Sequence, residues 1–241
     1  MSPEVLAQLA PTGVLRAAIN LSNFLLVSGR TETGDPAGVA PDMARAIADR
    51  LGVAVRYVPY PSPGVLADAA LAGVWDVGLI GAEPQRAANI AFSPPYVEIE
   101  ATYMVPPGSA LASVADVDAE GVRIASTSRA AYDLWLERNI RRAKVIGAPS
   151  LDAAFDLFAR DKLEALAGLR PRLAADVARM PGARVLPGQF MAVQQAIGTQ
   201  RANAEGAAFL REFVEEAKAT GLVAGLIEKH RIVGLSVASK A

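Results

Sequence analysis

The 241-residue chain contains no cysteine and only one histidine, His230. The absence of cysteine excludes disulfides and thiol chemistry. With a single histidine, a zinc site would depend mainly on carboxylates and a Ser-His-Asp triad is disfavoured. The chain also lacks a Gly-x-Ser-x-Gly elbow and a glycine-rich phosphate loop. We therefore expect no catalytic centre, no metal site and no cofactor.

An excess of charge of one sign and long apolar runs are also missing. The formal net charge is -1 with acids and bases interspersed, which argues against nucleic-acid binding and a polybasic membrane patch. Charges interrupt each apolar segment before the about 18 residues that a membrane helix needs, so we expect no membrane insertion. The N-terminus lacks the basic and apolar regions of a secretory signal. Either an export signal was removed or the protein is cytoplasmic.

Short apolar runs alternate with helical segments, which is typical of α/β domains with mainly parallel strands. Up to Pro107, we predict strands at 15–20, 53–58, 74–80 and 101–105, and helices at 42–51 and 63–72. After Pro107, we predict strands at 122–126, 143–146, 163–167, 184–186 and 192–198, and helices at 129–139, 151–160, 170–180, 203–219 and 221–230. The pattern predicts two doubly wound sheets, with ligand binding expected at the carboxyl ends of the strands.

Arg86 is the strongest candidate for a binding residue. It follows the apolar strand that ends in Gly78-Leu79-Ile80-Gly81-Ala82, next to a loop of small residues. A guanidinium offers a rigid fork of donors that matches a carboxylate, and such a loop offers backbone N–H groups. The alternative interpretation is a surface arginine at a helix start that pairs with Glu83.

Several segments resemble the bacterial type II periplasmic solute-binding proteins of family 3, the amino-acid type that serves ABC transporters. The resemblance covers about residues 12 to 235, and no single segment carries it alone. The matching segments, in order, are Gly38 to Ala48, Trp75 to Ile80, Arg86 with Phe92-Ser93-Pro94-Pro95-Tyr96, Ser128 to Leu134, Ala196-Ile197-Gly198 and Phe209-Leu210.

The resemblance implies two α/β lobes joined by two hinge strands, which close over a ligand. Lobe 1 would comprise residues 1–105 plus 193–241, and lobe 2 residues 106–192. Arg86 would bind the ligand carboxylate with help from backbone N–H groups at Gly81 and Ala82. The other implied ligand-binding residues are Asn20, Ser22, Asn23, Phe24, Thr127, Ser128, Arg129 and Arg170. The resemblance also implies a periplasmic protein that delivers its ligand to an ABC permease, and we expect a monomer.

Three positions depart from the family pattern. Amino-acid binders of the family usually place a carboxylate just after the strand at 163–167, where this chain has Leu169 followed by Arg170. An α-ammonium buried without a counter-charge would cost several kcal/mol. Gly81 replaces a polar residue and Arg129 replaces the glycine of the anion loop. These changes favour a small organic anion over a standard α-amino acid.

Two alternatives remain open at this point. The first is an enzyme on the same scaffold, similar to cyclohexadienyl dehydratase, which would need a general acid in the cleft. The position expected for that acid is again Leu169. The second is a cytoplasmic binder or sensor without a transporter, which is consistent with the absence of a signal sequence.

Overall fold

The computed structural model describes residues 1–240, which form two compact units. Unit 1 consists of Met1–Glu98 and the residues from Gln194 onward, and unit 2 consists of Ile99–Val193. The sequence predicts that the chain passes from lobe 1 to lobe 2 after residue 105, at the end of a strand. In the structure this strand runs from Val97 to Val105, and from Ala101 onward it pairs with a strand of unit 2. The chain therefore enters unit 2 near the start of this strand, after Glu98.

The helices and strands follow the alternation that the sequence predicts. In chain order they are α1 (Pro3–Leu9), β1 (Val14–Asn20), β2 (Gly29–Arg30), β3 (Pro36–Ala37), α2 (Val39–Leu51), β4 (Ala54–Tyr60), α3 (Pro63–Asp68), β5 (Val77–Gly81), β6 (Ile90–Phe92), β7 (Val97–Val105), β8 (Arg123–Thr127), α4 (Ala131–Asn139), β9 (Lys144–Ala148), α5 (Leu151–Arg160), β10 (Ala165–Leu169), α6 (Arg170–Asp176), β11 (Arg184–Val185), β12 (Met191–Gln200), α7 (Ala204–Ala219), α8 (Leu222–Lys229) and β13 (Ser236–Val237). The predicted α/β class is confirmed.

The sheet of unit 1 is built around β1, which pairs in parallel with both β4 and β5. Ile19 lies opposite Pro59 on β4 and opposite Leu79 on β5. Strand β12 pairs with the other side of β5 in the antiparallel direction. Since β4, β1 and β5 run the same way, their carboxyl ends share one edge of the sheet, where open α/β sheets bind their ligands.

Helix α2 shows how local sequence positions the elements of unit 1. Its buried apolar stripe includes Met43, Ile47 and Leu51, and Gly52 ends it in the left-handed conformation, as the sequence predicts. The helix begins at Val39, ahead of the predicted start at residue 42. Pro41 is accommodated because N–H groups of the first turn need no partner within the helix. The N-cap is Gly38, with φ 144°, where a Cβ would lie 2.4 Å from the Leu26 carbonyl oxygen.

Unit 2 repeats this plan in its own strands. Strand β8 pairs in parallel with β9 and with β10, while β10 pairs with β7 in the antiparallel direction. One face is covered by an apolar cluster that includes Met104, Phe155, Phe158, Leu166 and Leu173. The carboxyl ends of β8, β9 and β10 again share one edge.

Each unit contains the same type of ion pair at the start of a parallel strand. In unit 1, Asp76 accepts from the Arg16 amide at 2.8 Å and from its Nε and Nη2 at 3.0 and 2.6 Å. In unit 2, Glu164 accepts from the Arg123 amide at 2.8 Å and from its Nε and Nη2 at 2.9 Å. The hydrogen bond with Asp76 is the main cause of the raised pKa of Arg16. Each pair fixes the register of two neighbouring strands.

The elements that the sequence does not predict are mostly very short. They are α1, the β2–β3 hairpin, β6 and β13, and the three-residue β6 is the longest of these strands. Runs of two or three residues cannot show a period of two, so sequence patterns do not reveal them. Among residues 1–240, no helix has the length and apolar character to cross a membrane.

Candidate functional site

Two loops of unit 1 meet at the carboxyl edge of its sheet. The first follows β1 and contains Asn20 to Phe24, and the second follows β5 and contains Gly81 to Arg86. The parallel pairing of β1 with β5 brings both loops to one edge. The structure thus collects all the candidate residues that the sequence names in unit 1.

Arg86 is a buried arginine, with 6% of its surface exposed. It begins a short 3-10 helix, Arg86–Ala88, and its amide donates to the Glu83 carbonyl oxygen at 2.9 Å. Its Nη1 donates to the Gly81 carbonyl oxygen at 2.7 Å, which orients the guanidinium from the end of β5. The burial does not fit the interpretation of Arg86 as a surface residue at a helix start.

The Ala82 amide does not have the role that the sequence assigns to it. Its N–H donates to the Gln194 carbonyl oxygen at 2.8 Å, as part of the ladder between β5 and β12. At Gly81 the carbonyl, not an amide, orients Arg86. The sequence could not show this because β12 lies far along the chain. The Ala82 amide is therefore engaged within the sheet and is not offered to an anion.

The loop after β1 holds itself in shape through its own side chains. The Asn20 Oδ1 accepts from the Ser22 amide at 3.2 Å and from the Ser22 hydroxyl at 2.8 Å. The Asn23 Oδ1 accepts from the Leu25 amide at 3.2 Å. These are local Asx-type turns. Asn20 and Asn23 are buried, whereas 38% of the Phe24 surface is exposed, so Phe24 is the most exposed apolar residue of the loop.

In unit 2 the loop after β8 carries Thr127, Ser128 and Arg129. The Ser128 amide donates to the Ala148 carbonyl oxygen at the end of β9, at 2.8 Å. Arg129 has φ 63°, the left-handed region that non-glycine residues seldom adopt. Its amide donates to the Asp133 Oδ2 at 2.7 Å. This hydrogen bond holds the strained residue in place just before α4.

Asp133 was not among the candidates from the sequence, although it lies within the matching segment Ser128 to Leu134. Its side chain is buried. Burial raises the pKa of the Asp133 carboxyl, and the hydrogen bond from the Arg129 amide opposes this effect. The acidic residue four positions after Arg129 was the available signal, since side chains at the start of a helix commonly accept from loop amides.

Gly147 on β9 is a second residue that the sequence did not single out. A Cβ at this position would lie 2.4 Å from the Ser128 hydroxyl oxygen. Only glycine lets the Ser128 side chain lie against β9 in this way. Gly147 therefore leaves free the space that the Ser128 hydroxyl occupies.

Leu169 and Arg170 follow each other at the carboxyl end of β10. Leu169 is buried and has no charge to offer. The Arg170 Nε is paired with the Glu100 Oε2, and its Nη2 donates to the Gly188 carbonyl oxygen. Both partners lie in unit 2. Arg170 is thus engaged within its own unit, which the sequence did not indicate.

No group of three or more His, Asp or Glu side chains within residues 1–240 is arranged to hold a metal ion. His230 caps α8, and its Nε2 lies 2.8 Å from the Asp42 Oδ2, which also accepts from the Lys229 Nζ at 2.8 Å. Burial opposes ionisation of Asp42, but the hydrogen bonds from Lys229 and His230 outweigh it and lower its pKa. These contacts join the start of α2 to the end of α8, where the helix dipoles favour such charges.

Solved structures of other proteins share this fold. A mutant of ArgBP from T. maritima is 22% identical, with a TM-score of 0.74 over 94% of this chain and 99% of that one. An amino-acid ABC transporter substrate-binding protein from Streptococcus pneumoniae, bound to L-arginine, is 19% identical, with a TM-score of 0.74 over 98% and 100%. AncCDT-1, an ancestral amino-acid-binding protein and precursor of cyclohexadienyl dehydratase, is 22% identical, with a TM-score of 0.72 over 93% and 98%. The similarity confirms the predicted periplasmic-binding-protein-like fold of type II.

At the level of sequence, no curated protein matches the chain. A family model does match, and it extends from residue 22 to residue 232. It therefore includes residues 22–24 of the loop after β1, the whole loop after β5, the loop after β8 and the end of β10. The chain belongs to the bacterial extracellular solute-binding proteins, family 3.

Proposed function

We propose that this protein is the substrate-binding component of an ABC transporter and binds a small solute through the carboxylate of that solute. The observation that carries the proposal is the buried guanidinium of Arg86 at the carboxyl edge of unit 1. A planar fork of donors in a site largely shielded from water recognises a carboxylate strongly and with defined geometry. The exposed ring of Phe24, on the neighbouring loop, supplies an apolar surface for the rest of the solute.

The proposed solute is an organic anion without an α-amino group. The Streptococcus pneumoniae relative holds L-arginine, an amino acid, but at its level of identity it supports the fold and not the ligand. In this chain the expected partner of an ammonium group is replaced by the buried, apolar Leu169. An ammonium beside Leu169 would lose its hydration without gaining a counter-charge, which is costly.

The loop after β8 is proposed to give the second set of contacts, through Thr127, Ser128 and Arg129. The strained backbone of Arg129, which Asp133 holds, is the kind of feature that persists at functional sites. Delivery to an ABC permease outside the cytoplasm follows from the family and is part of the proposal. Closure of the two units over the solute stays a prediction.

An enzymatic role is less well supported by these residues. Elimination chemistry needs a general acid, and Leu169 supplies none. Glu100 is largely exposed and is already engaged in an ion pair with Arg170. AncCDT-1 is itself described as an amino-acid-binding protein. We therefore propose a binding protein rather than a dehydratase.

A thermal-shift screen with matched pairs of ligands tests the proposed solute class. The pairs are succinate and L-aspartate, glutarate and L-glutamate, and 3-phenylpropanoate and L-phenylalanine, which differ only by the α-amino group. We expect at least one carboxylate to raise the melting temperature more than its amino-acid partner. A ligand at about 100 times its Kd should add about 2.7 kcal/mol of apparent stability.

The variant Leu169→Asp provides the matched control, because it places a carboxylate where the family usually has one. We expect this variant to gain affinity for the amino acid of a pair and to lose affinity for the simple acid. Larger stabilisation of the wild-type protein by the amino acids would contradict the proposed solute class. It would leave the role of Arg86 intact, since both members of each pair carry a carboxylate.

The substitution Gly147→Ala tests the role of Ser128. The added methyl group would displace the Ser128 hydroxyl and should weaken binding of the best carboxylate from the screen by about 0.5–1.5 kcal/mol, the value of one neutral hydrogen bond. Isothermal titration calorimetry measures the change. Ser128→Ala is the control, and the double variant should bind no more weakly than either single variant. Additive losses would show that Gly147 acts independently of Ser128.

A further inference from the structure

The segment from Leu186 to Phe190 in unit 2 is attached to its surroundings in an unusual way. It leads from the short strand β11 into β12, the strand that takes the chain out of unit 2. The Leu186 amide donates to the Tyr103 carbonyl oxygen at 2.8 Å, and the Phe190 amide donates to the Ala101 carbonyl oxygen at 3.0 Å. Both acceptors belong to β7, the strand that brings the chain into unit 2.

Between these two ladder bonds, side chains hold the loop. The Thr102 hydroxyl donates to the Gly188 carbonyl oxygen at 2.9 Å and lies 3.4 Å from the Leu186 carbonyl oxygen. Arg170 donates to the same two oxygens, from Nη2 to Gly188 and from Nη1 to Leu186. The Gly188 carbonyl therefore has one donor from β7 and one from the start of α6, and the Leu186 carbonyl accepts from the start of α6.

Glu100 completes the arrangement by pairing with the Arg170 Nε. We call the set formed by Arg170, Glu100, Thr102 and the loop 186–190 the Arg170 clasp. A cation in the first turn of a helix is unfavourable because the helix dipole repels it. The position of Arg170 at the start of α6 therefore needs compensation, and the contacts with Glu100 and the loop 186–190 provide it.

An aromatic contact closes the far end of the loop. The Phe190 ring lies 4.6 Å from that of Tyr103 and 5.1 Å from that of Trp135, measured between centroids. The loop is thus held by a charged hydrogen bond at Gly188 and by tilted aromatic contacts at Phe190. The polar end is partly open to solvent, since 32% of the Arg170 side chain and 55% of the Glu100 side chain are exposed.

We propose that Arg170 is not a solute-binding residue and that the Arg170 clasp is a salt-sensitive latch within unit 2. The Arg170 clasp connects β7, the strand that enters unit 2, to the loop 186–190, which leads out of it. When it opens, the loop 186–190 loses its polar anchor while the core of the unit stays folded. This inference does not depend on the identity of the solute, and it goes beyond the proposed binding function.

Amide hydrogen exchange of the ligand-free protein tests the latch. In Arg170→Gln, we expect the Leu186 and Phe190 amides to exchange about tenfold faster, while the melting temperature changes little, because the opening is local. In the wild-type protein, raising the salt from low concentration to about 1 M NaCl should speed their exchange about threefold, because exposed charges are screened. Arg170→Gln should not show this response to salt.

Two further variants serve as a second disruption of the Arg170 clasp and as a matched control. Glu100→Gln removes the ion pair but keeps the arginine, and it should accelerate exchange in the same direction by a smaller factor. Arg123→Gln removes the comparable pair with Glu164 elsewhere in unit 2 and should leave the Leu186 and Phe190 amides unchanged. Exchange within about twofold of the wild-type rate in Arg170→Gln would overturn the proposal, as would an equal rise in Arg123→Gln.

Discussion

Replacing Arg86 with alanine is expected to weaken binding of the best carboxylate from the screen by about 2–5 kcal/mol. The side chain is buried, and its guanidinium is oriented by the Gly81 carbonyl oxygen. Without it, a carboxylate would enter a site shielded from water with no charge to compensate its lost hydration. Isothermal titration calorimetry measures the loss directly, as a change in Kd of about thirtyfold or more.

Two control variants separate the shape of the Arg86 side chain from its charge. Arg86→Lys keeps the charge but not the fork of donors, so it should bind with intermediate affinity. Arg201→Ala removes an exposed arginine of the same unit whose Nη1 donates to the Ala87 carbonyl oxygen at 2.5 Å. That variant should bind like the wild-type protein. If Arg86→Ala keeps wild-type affinity while remaining folded, the proposed carboxylate site is wrong.

The second large effect concerns stability. Replacing Asp76 with alanine is expected to lower the free energy of unfolding by about 2–4 kcal/mol. Only 3% of the Asp76 side chain and 16% of the Arg16 side chain are exposed, and the carboxylate accepts three hydrogen bonds from Arg16. Truncation would leave a largely buried guanidinium without its counter-charge. Urea unfolding at neutral pH, followed by circular dichroism, measures the change.

The comparable pair of unit 2 is the internal control for Asp76. Glu164 makes the same contacts with Arg123, but 36% and 41% of these side chains are exposed. Water already solvates both charges, so Glu164→Ala should cost much less than Asp76→Ala. Equal losses for the two variants would show that burial does not decide the value of these pairs.

Much of the fold could be predicted because its signals are local. The α2 helix is defined by apolar residues at helical spacing and by the stop at Gly52, and α5 has the predicted bounds, Leu151–Arg160. The alternation of strands and helices predicted parallel sheets and hence a binding edge at the carboxyl ends of the strands. The location of Arg86 just past the end of β5 follows from the same pattern.

Other features escaped the sequence because they depend on partners far away along the chain. From the sequence, the Ala82 amide is expected to be available to an anion. In the structure β12 lies beside β5, and the Gln194 carbonyl oxygen accepts from this amide. Arg170 was predicted to bind the solute, but Glu100 and the Gly188 carbonyl lie next to it in unit 2. The sequence identifies the donor, whereas its acceptor becomes known only from the tertiary structure.

The sequence by itself determined the order of the elements, the two sets of alternating strands and helices, and the arginine that follows β5, since each of these is encoded within a few neighbouring residues. The tertiary structure alone decided which of the candidate groups are buried and which are already hydrogen-bonded. It also distinguished Asp76 from Glu164, two acids with the same local pattern but different exposure to water. The reason is physical, because periodicity is a short-range property, whereas burial and pairing depend on segments that meet only when the chain folds.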